Sequence, residues 1–113
     1  MSSDGHAFRV FYRRSGSRWV ATVEGELDIL TAPKLRKTLE RVIEGDGIAE
    51  VVIDISRLTF MDSVGYAPIS ETRQRLEAYG TSVMLRGALP QVDRFLELVG
   101  EDVPREAEVR SDG

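Results

Sequence analysis

A chain of 113 residues, 42% apolar and 30% charged, is long enough to bury one core and has the composition of a soluble globular domain. Its net charge of −4 argues against nucleic acid, whose phosphates call for a basic surface. It has no cysteine, which excludes disulfides and thiolate metal sites, and no apolar run approaches the ~20 residues of a membrane span. The opening MSSDGHAF has neither a basic nor an apolar signal region, so no secretory leader and a cytoplasmic location are expected.

Residues 1–5 read as a lead-in without fixed structure, and the single histidine, His6, as a solvated residue within it. Residues 8–13 alternate, with Phe8, Val10 and Tyr12 on one side and Arg9, Phe11 and Arg13 on the other. After the turn Ser15-Gly16-Ser17, Trp19, Ala21 and Val23 alternate with Val20, Thr22 and Glu24. Two alternating runs about a glycine-containing turn predict an antiparallel hairpin. The segment Gly25-Glu26-Leu27-Asp28-Ile29-Leu30-Thr31-Ala32 then feeds a helix, with Thr31 as its expected N-cap and Pro33 in its first turn. Ala32, Leu35, Leu39, Val42 and Ile43 recur at helical spacing, charged residues fill the other face, and Gly45-Asp46-Gly47 stops the helix.

Residues 50–65 are the stretch the chain is organised around. Val51, Val52, Ile53 and Ile55 form a run too short for a helix and too apolar for a half-exposed strand, so a strand buried on both faces is expected. Asp54, Ser56 and Arg57 interrupt it, and Leu58-Thr59-Phe60-Met61 carries the chain back into the core. The stretch ends in Asp62-Ser63-Val64-Gly65, where an aspartate or serine oxygen suits a helix start. A second helix presents Gly65, Ile69, Thr72, Leu76 and Tyr79 on one face and ends at Gly80. Residues 82–85 read as a short buried strand and Arg86-Gly87 as a turn. A third helix turns Leu89, Val92, Phe95, Leu96 and Val99 inward and stops at Gly100. The tail beyond Pro104 is expected to fray, with a short strand near Val109. Trp19 and Phe60 are assigned to the core, Met61 and Met84 to packing. The order β-β-α-β-α-β-α is that of an α/β domain: a mixed sheet that starts with an antiparallel hairpin, continues with parallel neighbours and carries helices packed against it. One domain is expected over residues 1–113, with its ordered core at about 8–100.

Three chemistries compete for these polar residues. A serine nucleophile needs a neighbouring base, and the flanks of Ser63 lack the G-x-S-x-G elbow. A cation site of Asp28, Asp54 and Asp62 lacks a dense acidic loop, and capping explains these aspartates more simply. Neither phosphate-binding glycine motif occurs. The third chemistry is modification. A cap hydroxyl contributes ~0.5–2 kcal/mol, and a phosphate there would add a charge of about −1.5 to −2. A helix N-terminus tolerates that charge, whereas a docked acidic or close-fitting partner does not. Composition and spacing leave cap and switch both open.

Three separated stretches resemble the STAS domain family, and within it the bacterial anti-sigma factor antagonists. They are Gly25-Glu26-Leu27-Asp28 followed by Thr31-Ala32, then Val52 to Ser56 leading into Leu58-Thr59-Phe60-Met61-Asp62-Ser63-Val64-Gly65, and last the turn and strand from Gly80 to Leu85. The resemblance spans about residues 8–100. It implies a sheet with helices wound as a β-α superhelix, and a regulator of transcription by partner switching rather than an enzyme. It also implies a phosphorylatable Ser63 and a binding face of Asp28, Thr31, Asp62, Ser63, Val64, Gly65 and Tyr66. The implied partners are an anti-sigma factor that is also a serine kinase and a metal-dependent serine phosphatase. No cofactor, bound metal, nucleic acid or membrane is implied, and the domain itself is expected as a monomer or weak homodimer. Val64, Tyr66 and Pro68 depart from the family pattern. With Ser63 as N-cap, Pro68 falls inside the helix, so either a distorted first turn or a helix starting near Ala67 is expected. The alternative reading is a STAS scaffold or small-ligand-binding domain that is not phosphorylated.

Overall fold

The computed structural model describes residues 8–101; the expected lead-in, His6 and the strand near Val109 lie outside the described residues. In chain order the elements are β1 (Arg9–Ser15), β2 (Arg18–Leu27), α1 (Ala32–Glu44), β3 (Glu50–Met61), α2 (Ser63–Glu77), β4 (Ser82–Arg86) and α3 (Pro90–Leu98). The four strands lie in one sheet in the order β1-β2-β3-β4. The hairpin pairs β1 antiparallel to β2, whereas β3 runs parallel to β2 and β4 parallel to β3. The expected α/β order and mixed sheet are both present.

The helices share one face of this sheet. Leu35 and Leu39 of α1, Ile69 of α2 and Leu96 of α3 form a single apolar cluster with Ala21 and Val23 of β2, Ile53 and Ile55 of β3 and Leu85 of β4. The other face carries no helix among the described residues. It displays rows set by strand register, such as Phe11, Thr22, Asp54 and Arg86. β3 is therefore not sandwiched between two layers, as its apolar run suggested. Val52 sits on the open face, fully buried, and is in register with Val20 and Met84. β4 is likewise half-buried, with Val83 and Leu85 inward and Met84 39% exposed.

β3 is also one strand of 12 residues, not two apolar patches. Its register against β2 slips twice, with Thr22 opposite Asp54 but Glu24 opposite Arg57, and Gly25 opposite Leu58 but Glu26 opposite Phe60. Each slip inserts one extra residue into β3, a bulge that breaks the period of two without ending the strand. Inward positions consequently fall at Ile55, Leu58 and Met61, while Ser56-Arg57 and Thr59-Phe60 both face out. Phe60, assigned to the core, is 46% exposed for this reason. Tyr79 and Val99, expected on inward helix faces, are exposed because they lie past the last turns of α2 and α3.

The end of α3 is closed by Gly100, whose φ of +84° is open to glycine but strained for other residues. Its N–H donates to the Glu97 carbonyl at 3.2 Å and the Glu101 N–H to the Leu96 carbonyl at 2.9 Å, the paired bonds of a Schellman ending. This brings Glu101 onto α2, where its carboxylate accepts from the Tyr66 hydroxyl and the Arg73 guanidinium. Burial, and then the bonded Glu101 carboxylate, push the Tyr66 phenol up from 10.0 to about 12. Folding thus favours the protonated phenol. That contribution is complete below the ordinary value of 10.0 and is lost as pH rises through about 12. A phenolate absorbance titration should show a component ionising near 12 that disappears in Tyr66→Phe.

Candidate functional site

Parallel pairing of β2 and β3 brings the C-terminal ends of both strands to the same edge, where Leu27 and Met61 form the last registered pair. The Asp62 N–H extends this pairing by donating to the Leu27 carbonyl at 3.3 Å. Two connections leave from this point, one into α1 and one into α2.

The first is a tightly bonded turn. Asp28 Oδ1 accepts the N–H groups of Leu30 at 3.0 Å and Thr31 at 3.2 Å. This is the local side-chain bonding that makes aspartate a turn residue. The Thr31 hydroxyl donates back to the Glu26 carbonyl at 2.7 Å and accepts the Asp28 N–H at 2.9 Å. Thr31 holds the N-cap position of α1, but its side chain makes no cap bond to the helix. Its hydroxyl is engaged with the end of β2, so it ties the turn to the sheet. The turn holds Ile29 at 68% and Leu30 at 82% exposure.

The second connection starts α2 abruptly. Asp62 is extended, with φ −122° and ψ −177°, and its Oδ1 accepts the Gly65 N–H at 2.8 Å. Asp62, not Ser63, is therefore the N-cap: Ser63 is already helical, and its side chain is exposed. Pro68 becomes the sixth residue of a helix unbroken from Ser63 to Glu77, so the start near Ala67 is not taken. Its ring is buried, and the bond its missing N–H would make to the Val64 carbonyl is given up one turn from the helix start.

Gly65 sets the depth of this arrangement. A Cβ built there would lie 2.2 Å from the Leu27 carbonyl oxygen and 2.5 Å from its carbon. The first turn of α2 thus rests on the last peptide of β2, a separation that no side chain permits. Asp28, Thr31, Asp62, Ser63, Val64 and Gly65 are brought together at one end of the sheet. Tyr66 is not part of that group: its ring meets Phe95 edge-on at 6.0 Å and its hydroxyl bonds Glu101. The loop around Asp28 also carries Ile29 and Leu30, two large consecutive apolar residues outside any strand or helix period.

The three aspartates proposed as cation ligands are each held by protein donors. Asp28 takes its own turn, Asp62 takes Gly65, and Asp54 takes Ser56 and Arg86. Among the described residues no three metal-ligating side chains cluster, and no helix is long and apolar enough to cross a membrane.

The sequence profile of the STAS domain family matches residues 12–104. The chain belongs to this family. Its relatives include an anti-sigma-B factor antagonist of Listeria monocytogenes, 31% identical over 78 residues that cover 69% of this chain and 68% of the relative. The anti-sigma-B factor antagonist of Staphylococcus aureus is 27% identical over 78 residues, covering 69% and 71%. An anti-sigma factor antagonist from Mycobacterium paratuberculosis shares the fold with a TM-score of 0.80 at 24% identity, over 98% of this chain and 96% of that one. The unphosphorylated anti-sigma factor antagonist SpoIIAA does so with a TM-score of 0.73 at 23% identity, over 94% and 95%.

Three substitutions test how this STAS domain builds the site. Gly65→Ala forces α2 off the β2 carbonyl and should lower stability by about 3 kcal/mol, read from the urea midpoint. Asp62→Ala should lose about 1 kcal/mol as a removed cap. Ser63→Ala should stay within ~0.5 kcal/mol, as for a surface residue outside the capping bond.

Proposed function

We propose that this STAS domain is a bacterial anti-sigma factor antagonist, switched off by phosphorylation at Ser63. The observation that carries the reading is the exposed Ser63 hydroxyl at the first helical position of α2, beside the rigid Asp28–Thr31 turn. The curated relatives bear the antagonist name, and SpoIIAA has been solved in a phosphorylated as well as an unphosphorylated form.

The mechanism follows from the local chemistry. The partner is an anti-sigma factor that is also a serine kinase, and docking on this end of the sheet frees its sigma factor. Ile29, Leu30 and Val64 provide apolar contact area around Ser63. Because Ser63 carries no capping bond, its hydroxyl is free to accept the γ-phosphoryl group of ATP. The phosphate then sits where the helix dipole favours negative charge, so the fold persists. It also stands next to the Asp62 carboxylate, and the two together repel an acidic or close-fitting surface. A metal-dependent phosphatase returns the hydroxyl. The chain acts by binding, in the cytoplasm, as a monomer or weak homodimer.

Incubation with the cognate kinase and ATP should add one phosphate by mass spectrometry to the wild type and none to Ser63→Ala. Ser63→Ala should bind the kinase as the wild type does, while Ser63→Asp should bind at least about tenfold more weakly, ~1.4 kcal/mol. Equal affinity of the two variants removes the switch. Intact binding without phosphate uptake favours the unphosphorylated scaffold instead.

A further inference from the structure

The helix-free face of the sheet holds a groove that the Ser63 site does not use. It has a volume of about 510 Å³ and is lined by Arg13, Arg57 and Arg86 together with Phe11, Val20 and Thr22. Small-ligand sites span roughly 300–1,000 Å³. Among the described residues the only carboxylate lining it is Asp54, so their contribution to the groove is a surplus of positive charge in a chain whose net charge is −4.

Two features hold Arg57 and Arg86 on this face. The first bulge of β3 puts Ser56 and Arg57 on the same face, whereas strict alternation would send Arg57 into the core. Asp54 then fastens the neighbouring groups. Its Oδ1 accepts the Ser56 N–H at 2.9 Å and the Ser56 hydroxyl at 2.7 Å, and its Oδ2 accepts from Arg86 at 3.1 Å. Burial alone would raise the Asp54 carboxyl, but these bonds outweigh it and hold it below its ordinary value. Asp54 is thereby committed to positioning Arg86 and does not neutralise Arg13 or Arg57. Among the described residues those two have no ion-pair partner.

Guanidinium groups from three strands line this groove and match the oxygens of a phosphate, which planar forks bind two at a time. Phe11, 43% exposed with the Arg9 guanidinium 4.6 Å from its ring centroid on one side, and Val20 give an apolar surface beside them. We propose that this groove binds a small organic phosphate, its phosphate held by Arg13, Arg57 and Arg86 and its apolar or ring-bearing body resting on Phe11 and Val20. The proposal does not depend on the fate of Ser63.

The test is an amide chemical-shift titration of the full chain with phenyl phosphate, inorganic phosphate and phenol in turn. Phenyl phosphate should give saturable shifts in β1, β3 and β4 with a Kd of about 1 mM or lower. It should bind at least about tenfold tighter than phenol or inorganic phosphate. Arg57→Gln should weaken it at least about tenfold with an unchanged melting temperature, and Phe11→Ser should remove the advantage over inorganic phosphate. Ser63→Asp should leave the titration as in the wild type. Shifts that do not saturate, that survive Arg57→Gln, or that are equal for inorganic and phenyl phosphate overturn the proposal.

Discussion

The contact between Gly65 and the Leu27 carbonyl is the constraint from which the functional end of this domain follows. Two parallel strands end side by side, and the helix that follows the second must start on top of the first. A side chain at position 65 would lift α2 away. Glycine lets the two backbones meet, and the Asp62 carboxylate then closes the first turn by taking the Gly65 N–H. Ser63 is consequently carried at a defined height above the sheet, with its hydroxyl in solvent and free of capping duty. The Asp28–Thr31 turn beside it is bonded internally by Asp28 and Thr31 and tied to β2 by the Thr31 hydroxyl, which donates to the Glu26 carbonyl, so neither flank is a loose loop.

Much of this was legible in the residues because local signals and tertiary outcome agree. The hairpin, the element order and the inward face of α1 rest on alternation, helical spacing and turn chemistry, whereas the gathering of Asp28 with Asp62–Gly65 was implied by the family resemblance. The departures have a common physical origin in features that period counting does not register. Two inserted residues in β3 made one strand look like two patches and turned Phe60 outward. The apolar Val51–Ile53 run suggested cover on both sides, but Val52 is buried without a helix above it, in register with Val20 and Met84. Aspartate and serine in succession are both good caps, and only backbone geometry decides that Asp62 holds the role. Likewise, the hydroxyl of Thr31 had two uses, and the end of β2 took it.

The two faces and the end of the sheet divide the labour. One face is filled by the three helices and supplies the apolar cluster that holds the fold together. The clip of Tyr66, Arg73 and Glu101 joins α3 to α2 on that side, away from Ser63. The C-terminal edge presents the exposed Ser63 together with the exposed apolar residues Ile29, Leu30 and Val64. The open face carries arginines that β3 steers outward. Leu27 and Met61 of the apolar cluster end β2 and β3 at the C-terminal edge, but Ser63 is exposed, so a charge added there would meet solvent rather than the core.

The most direct test of that separation is the amide spectrum of the chain before and after stoichiometric phosphorylation at Ser63. The account predicts shifts confined to residues 28–31 and 61–66, with the resonances of the sheet core superimposable. Shifts spread through β3, β4 and α3, or loss of native dispersion, would contradict it.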